Sequence, residues 1–399
     1  VTQTRIAIAA GGTAGHVAPA LAVAGALRAE QAQVAFVGGT RAEAQLVPAA
    51  GYELRTISVE GLSRTNPLRA IRALGRAALA FGRARAILRE LRPDAVLGGG
   101  GYVAGPVGLA ALSLRIPLVL SEADSHLGLA NRLLAHGARR VCLAFPIPGR
   151  DGERYRVTGR PIPVAGADRA RARAHFQIGV RETCVLVFGG SLGARSINLA
   201  AIEAFADGGA KAAGVPDAAD APGAAGEGAG ETVGADLAAG AHADGPSVRV
   251  LHVAGRRDHS ELAARALPDG YDLREYLDLA EFAQALAAAD LVVARAGGSV
   301  FEIAAYGRPA ILVPYPHASA DHQSANARWM AAAGAAVVIP DAELNGARLA
   351  REVAALLKDR PRLAAMAAAS RSLARPEAAR DVASELLAAA SRSGQAAPA

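Results

Sequence analysis

The chain has 399 residues, which at roughly 150 residues per domain allows two or three domains, and a hydrophobic content of 52% excludes global disorder. Two cysteines, Cys142 and Cys184, are too few for a disulfide framework and too far apart in sequence for a metal pair, so a cytosolic chain is expected. The net charge of +6 would ordinarily point to polyanions, but nearly all the basic charge is arginine in an alanine-rich chain, so its local distribution says more than its sum.

The N-terminal segment lacks the basic start and small-residue cleavage site of a signal peptide and reads as a first strand, Ile6–Ala10. Short apolar runs then alternate with alanine-rich helical stretches, the pattern of βα units on a parallel sheet. Further strands are expected at Val34–Val37, Leu54–Ile57, Ala95–Leu97, Leu118–Leu120 and Val141–Ala144. Helices are expected near Pro19–Glu30, Arg41–Ala50, Pro67–Leu91, Pro106–Leu114 and Leu127–His136. The uncharged stretch from Ala95 to Leu114 has the length of a membrane span, but its glycines and Pro106 fit a strand, a loop and a short helix better.

Proline and glycine from Phe145 to Pro163 suggest an interdomain linker. A second series follows at Cys184–Phe188, Val248–Val253, Asp272–Tyr276, Leu291–Ala294, Ala310–Val313 and Ala335–Ile339. The fold class expected is therefore α/β, two doubly wound domains over residues 1–158 and 159–390. Residues 207–247, almost wholly Ala, Gly, Asp, Pro and Glu, have too little apolar bulk to offset ordering entropy and read as a disordered insertion, and 391–399 as a frayed tail.

In open parallel sheets ligands sit beyond the carboxyl ends of the strands. Four glycine-rich turns fall there: Gly11 to His16, Gly98 to Pro106, Gly189 to Arg195 and Arg295 to Glu302. Glycines let backbone N–H groups approach an anion, and a helix N-terminus favours phosphate, so a diphosphate and an acceptor held across one cleft explain four such loops. None has the G-x-G-x-x-G spacing or a P-loop lysine, and no zinc-spaced cluster occurs, so nicotinamide, nucleotide-hydrolysis and tightly bound metal readings lose support. His16 is placed to take a proton, to hydrogen-bond phosphate or merely to cap a helix. Glu122 has a similar location after its strand, and Glu302 suits either a ribose diol or the dipole of its helix.

Taken in order, these loops, with Gly128-Leu-Ala-Asn131 and Asp321-His-Gln-Ser-Ala-Asn326, resemble the MurG family of N-acetylglucosaminyltransferases, which convert lipid I to lipid II in cell-wall synthesis. The resemblance covers nearly the whole chain outside 207–247. It implies a GT-B fold of two Rossmann-like domains, the C-terminal one holding UDP-GlcNAc and the N-terminal one receiving the undecaprenyl-diphosphate-linked acceptor, with no cofactor or metal required. It places the diphosphate at Ser191, the ribose at Glu302, the sugar hydroxyls at Gln323 and uracil at the backbone of Leu277 or Leu279. The turn Gly297, Gly298, Ser299, Val300 and Phe301 would hold the nucleotide through backbone N–H groups. Thr13, Ala14 and Gly15 line the cleft opposite, Tyr102 and Asn131 stand on the acceptor side, and His16 or Glu122 would be the general base.

Some positions depart from the family pattern. Ala14 stands for a glycine, and its methyl needs negative φ; Leu192 stands for a glutamine; Asp124 stands for a donor-contacting asparagine. At the hinge Pro163 occupies the place of a phosphate-binding arginine, with Arg160 close enough to replace it. Between Arg64 and Arg92, Leu68, Ile71, Leu74, Leu79 and Phe81 alternate with arginines, the composition of an interfacial helix on anionic lipid or of an arginine-rich core-facing helix. Peripheral attachment to the cytoplasmic face of the membrane is the expectation. The alternatives are a GT-B transferase with another acceptor and a UDP-GlcNAc 2-epimerase; with 4% aromatics and no recognisable motif, a nucleic-acid partner is not expected.

Overall fold

The computed structural model describes residues 3–58, 67–162, 166–190, 192–206, 247–318 and 321–394, without the side chains of 67–77 and 392–394. The segment read as an insertion, apart from Ser247, and the last five residues of the tail lie outside the described residues, as do Pro163 and Ser191.

The first sheet contains β1 (Arg5–Ala9), β2 (Gln33–Gly38), β3 (Glu53–Thr56), β4 (Ala95–Gly98), β5 (Leu118–Glu122), β6 (Arg140–Leu143) and β7 (Tyr155–Val157), all parallel in the order 3-2-1-4-5-6-7. Its central strands are apolar on both faces, as a sheet covered by helices on each side requires; Ile8 pairs with Phe36 on one side and Leu97 on the other. Helices α1 (Ala14–Ala29) and α2 (Ala42–Ala49) follow β1 and β2, while α3 (Pro67–Leu91), α4 (Ala104–Ser113) and α5 (Leu129–Leu134) line the opposite face. The second sheet, β8 (Thr183–Phe188), β9 (Val248–Val253), β10 (Tyr271–Arg274), β11 (Leu291–Ala294), β12 (Ala310–Leu312) and β13 (Ala336–Val338), runs parallel in the order 10-9-8-11-12-13. Around it pack α6 (Arg169–His175), α7 (Arg195–Phe205), α8 (His259–Ala263), α9 (Leu279–Ala288), α10 (Val300–Ala305), α11 (His322–Ala332), α12 (Gly346–Lys358) and α13 (Arg360–Ser372).

In each sheet the strand order reverses next to the first strand, between β1 and β4 and between β8 and β11. A crevice opens at such a switch point. The four glycine loops follow these four strands, so sequence motifs far apart become the walls of two crevices.

Three elements differ from the sequence expectation. Helix α1 begins at Ala14, not Pro19, with Thr13 in extended geometry at its N-cap (φ −93°, ψ 163°), so His16 lies in its first turn. The short strand β7 lies inside the stretch read as a linker, pairing with β6 through Tyr155–Val157. The last helix, α14 (Ala378–Gly394), falls in the segment read as part of the C-terminal unit but packs on the first sheet: Val382, Ala383, Leu386, Ala389 and Ala390 join the core beneath α1. Glu385 accepts hydrogen bonds from Arg140 (2.7 Å) and Arg156 (2.8 Å), tying the helix to β6 and β7. At the hinge Phe145, Phe301 and Trp329 form an aromatic triad with ring centroids 4.6–5.2 Å apart, joining the end of the first unit to α10 and α11.

Candidate active site between the two sheets

Two adjoining cavities occupy the cleft. One, of about 320 Å³, is lined from the first unit by Thr13, Ala14 and Gly15 and from the second by Gly189, Gly190, Leu277, Gly297, Gly298, Ser299, Glu302 and Gln323. The other, of about 640 Å³, contains His16, Asp124, His126, Arg132 and His322. Both share Thr13, Gly15, Arg160 and Gly298. Ten residues expected at the donor, Arg160 among them, thus meet in one cavity although they lie far apart along the chain.

Arg160 stands where the cavities join. The i→i−4 bond that would satisfy Gly15 O is missing because Pro19 has no N–H, and the Arg160 guanidinium donates to that carbonyl instead. On the other side it lies against Gly298, where a Cβ would strike the guanidinium. Burial pulls the Arg160 pKa down, opposed by the charges of Glu302, Asp124 and Glu122. A cation so placed, between two glycine loops, has the charge and donors to meet an anion.

His16 lines the larger cavity, its imidazole close enough to Gly12 and Gly100 that a Cβ at either would come within 3.5 Å of the ring. Burial lowers its pKa, the Arg160 charge lowers it further, and Asp124 opposes both. The ring is therefore held in its neutral, proton-accepting form. Ala14, the residue substituting a glycine, takes helical geometry at the start of α1, so its methyl meets no strain.

Glu122 differs from His16. Its carboxylate accepts from the N–H groups of Asp124 (3.1 Å) and Gly128 (2.9 Å) and from Asn131 Nδ2 (2.9 Å). Burial raises its pKa against these bonds. Asn131 is itself buried, with its amide between Ser121 O and Glu122. The pair builds the turn that carries Asp124 and His126 to the cavity wall, and neither lines the cavities. Tyr102 likewise stands outside their walls, its hydroxyl donating to Glu43 Oε1 at 2.8 Å.

In the second unit Gln323 Oε1 accepts from Tyr315 N–H at 3.0 Å, which leaves Nε2 facing Gly297. Asn326 steadies the same loop by donating to Ala296 O at 2.9 Å. Arg295 fastens it to Asp341 (2.5 Å) and Ser196 (2.8 Å). The Val300 and Phe301 N–H groups donate to Gly297 O and Gly298 O within the turn, and both side chains are core. Of the five residues expected to present N–H groups, these two are thus already engaged. Burial raises the Glu302 carboxyl's pKa and the Arg160 charge opposes it. Leu277 offers only backbone, since its side chain is buried just before Asp278 caps α9. His126, Arg132 and His322 were given no role from the sequence; His126 and Arg132 only flank the motif Gly128–Asn131, and His322 lies within the motif Asp321–Asn326.

Two Rossmann-like α/β units that turn paired glycine loops toward a common cleft define the GT-B fold, the architecture of a large class of glycosyltransferases. Residues 6–143 match the glycosyltransferase family 28 N-terminal domain and residues 184–385 its C-terminal domain. A relative from Moorella thermoacetica, the UDP-N-acetylglucosamine–N-acetylmuramyl-(pentapeptide) pyrophosphoryl-undecaprenol N-acetylglucosamine transferase, is 41% identical over 94% of this chain and 96% of its own. Its namesake from Methylococcus capsulatus is 40% identical over 95% and 97%. The crystal structure of Acinetobacter baumannii MurG superposes with a TM-score of 0.69 at 27% identity, covering 97% of this chain and 99% of that one. The chain belongs to glycosyltransferase family 28 and, within it, to the MurG family.

Proposed function

We propose that this enzyme transfers GlcNAc from UDP-GlcNAc to the C4 hydroxyl of N-acetylmuramoyl-pentapeptide on undecaprenyl diphosphate, with inversion at the anomeric carbon. The observation that carries this reading is the shared cleft: loops of both units line one cavity, with Arg160 at its centre and His16 beside it. The names of relatives that match over nearly their whole length favour a lipid-linked acceptor over the epimerase and other-acceptor alternatives.

In the proposed step the acceptor oxygen forms a bond to the GlcNAc anomeric carbon while the bond from that carbon to UDP breaks. The hydroxyl proton passes to neutral His16, and UDP departs with the electron pair. Arg160 and the N–H groups of the glycine loops meet the diphosphate charge, Glu302 accepts from the ribose and Gln323 orients the sugar. One electrostatic consequence favours the order of events. An empty cleft leaves the Arg160 cation pressing the His16 pKa down, and a bound diphosphate neutralises that cation, so donor binding raises the proton affinity of the base. No metal is assigned a part.

We propose that the outer face of the first unit docks on the membrane. Helices α3, α4 and α5 pack side by side on the outer face of the first sheet and expose Leu79, Leu109, Leu129 and Leu133, with Leu79 at 75%. A nearby cavity of about 630 Å³ adds Arg115, His136, Arg139 and Arg154 without a carboxylate. Phe81, Ile87 and Leu88 of α3 instead face the core, and residues 64–66 lie outside the described residues. Among the described residues no helix is long and apolar enough to cross a membrane. Leucines among arginines suit the surface of an anionic bilayer.

The test is transfer of labelled GlcNAc from UDP-GlcNAc to a soluble lipid I analogue. His16→Ala should retain UDP binding and lose about 10²- to 10⁴-fold in turnover, whereas Glu302→Ala should weaken UDP-GlcNAc binding. Release of free epimerised sugar with no disaccharide would replace this reading with the epimerase.

A further inference from the structure

Beneath the acceptor side of the cleft lies a carboxylate that the mechanism above does not use. Glu43, in the first turn of α2, is fully buried. Its Oε2 accepts from Gly12 N–H at 2.8 Å, and its Oε1 accepts from Gly39 N–H at 2.9 Å and from the Tyr102 hydroxyl at 2.8 Å. These donors belong to the loops after β1, β2 and β4, so a single side chain joins three strand ends around the switch point. Ala42 N–H donates back to Gly12 O at 3.3 Å, closing the link between α2 and the first glycine loop.

The packing leaves little freedom. A Cβ at Gly39 would collide with Tyr102 Oη, and one at Gly11 would come within 2.8 Å of Glu43 Oε1. The His16 ring lies beside both loops: a Cβ at Gly12 would come within 3.5 Å of its Cδ2 and one at Gly100 within 3.5 Å of its Nδ1. Both glycines beside the ring therefore sit in loops that the Glu43 carboxylate ties together.

We propose that Glu43 is a positioning residue for the acceptor half-reaction: its carboxylate holds the loops bearing Gly12 and Tyr102 at the spacing that seats His16 against the acceptor hydroxyl. This deepens, and rests on, the reading of the cleft as the site of transfer to a lipid-linked acceptor. Three donors converge on two oxygens, which requires a group that only accepts. Burial pushes the Glu43 carboxyl up, but the bonds from Gly12, Tyr102 and the start of α2 outweigh it and hold it below the usual carboxylate range. Tyr102 is complementary: burial, its bond to Glu43 and the Glu43 charge push its phenol up to about 12, so it remains a donor. Glutamine keeps the shape but turns an NH2 toward a donor, opening one link of the three.

The experiment is steady-state kinetics of Glu43→Gln with UDP-GlcNAc and the lipid I analogue, alongside calorimetric binding of UDP. A displacement of about 1 Å at a reacting group lowers turnover by about 100-fold. The expected result is a fall of that order in kcat/KM for the acceptor, with UDP affinity within about twofold of the parent. Tyr102→Phe, which removes one donor and leaves the carboxylate intact, should show a smaller fall with the same split, and decides the matter if Glu43→Gln does not fold. Unchanged acceptor kinetics, or a parallel loss of UDP affinity, overturns the proposal. If the parent enzyme transfers nothing to the analogue, the functional reading fails by itself. Amide exchange then judges Glu43: faster exchange at residues 10–16 and 99–104 with 295–302 unaltered supports the positioning role, and no change overturns it.

Discussion

At Arg160 and His16 a cation and the proposed base lie in one cleft, and the cation lowers the proton affinity of the imidazole. For His16 burial is the larger cause, and Arg160 adds to it while Asp124 opposes. The folded pKa thus lies below the ordinary imidazole value of about 6.5. Between those two values the unfolded chain binds the extra proton, so stability rises with pH through that window. The acid limb of kcat/KM should lie below the ordinary imidazole value, move up in Arg160→Met and move down in Asp124→Asn. A pH profile of the three proteins checks this, and an acid limb indifferent to both substitutions removes His16 as the base. Both residues were legible in the sequence, as a histidine in a glycine loop and an arginine beside a hinge proline. Their coupling was not, because it depends on Pro19 releasing Gly15 O in one unit and on the bare backbone of Gly298 in the other.

At the scale of elements, apolar runs between glycine loops predicted the strands closely, since a strand covered on both faces needs an unbroken apolar segment. β11 spans Leu291–Ala294 as expected, and β8 gains only Thr183. β7 escaped notice because three residues among prolines and glycines carry no period, and only pairing with β6 makes them a strand. The segment of α14 was read only as part of the second unit and its tail, and its place in the first sheet's core had no local signal. Its apolar stripe suits either sheet, and what selects one is Glu385 meeting Arg140 and Arg156. Leu386, fully buried there, should cost about 2–5 kcal/mol when replaced by Ala. Chemical unfolding should show that loss while UDP affinity stays at the parent value, since the helix packs on the sheet opposite the donor loops.

The whole molecule is two sheets whose carboxyl ends face one another, bridged by Arg160, by the aromatic triad at Phe145 and by the return of α14. A ligand contacted from both walls binds the closed arrangement better and shifts the population toward it. Saturating UDP should therefore reduce the radius of gyration in small-angle scattering, and less so in Arg160→Met; equal radii with and without UDP would mean that the cleft is already closed. The sequence by itself determined the two βα series, the four glycine loops and the reaction class, because those depend on local periodicity and on short motifs whose chemistry survives without context. Only the tertiary structure decided which motif residues face the cleft and which hold it from behind. Glu122 and Tyr102 share the strand-end address of His16, yet the Glu122 carboxylate is taken up by Asp124, Gly128 and Asn131 and the Tyr102 hydroxyl by Glu43. A strand end brings a residue near the crevice; the hydrogen-bond partners supplied by distant segments determine whether its side chain is left to meet a substrate.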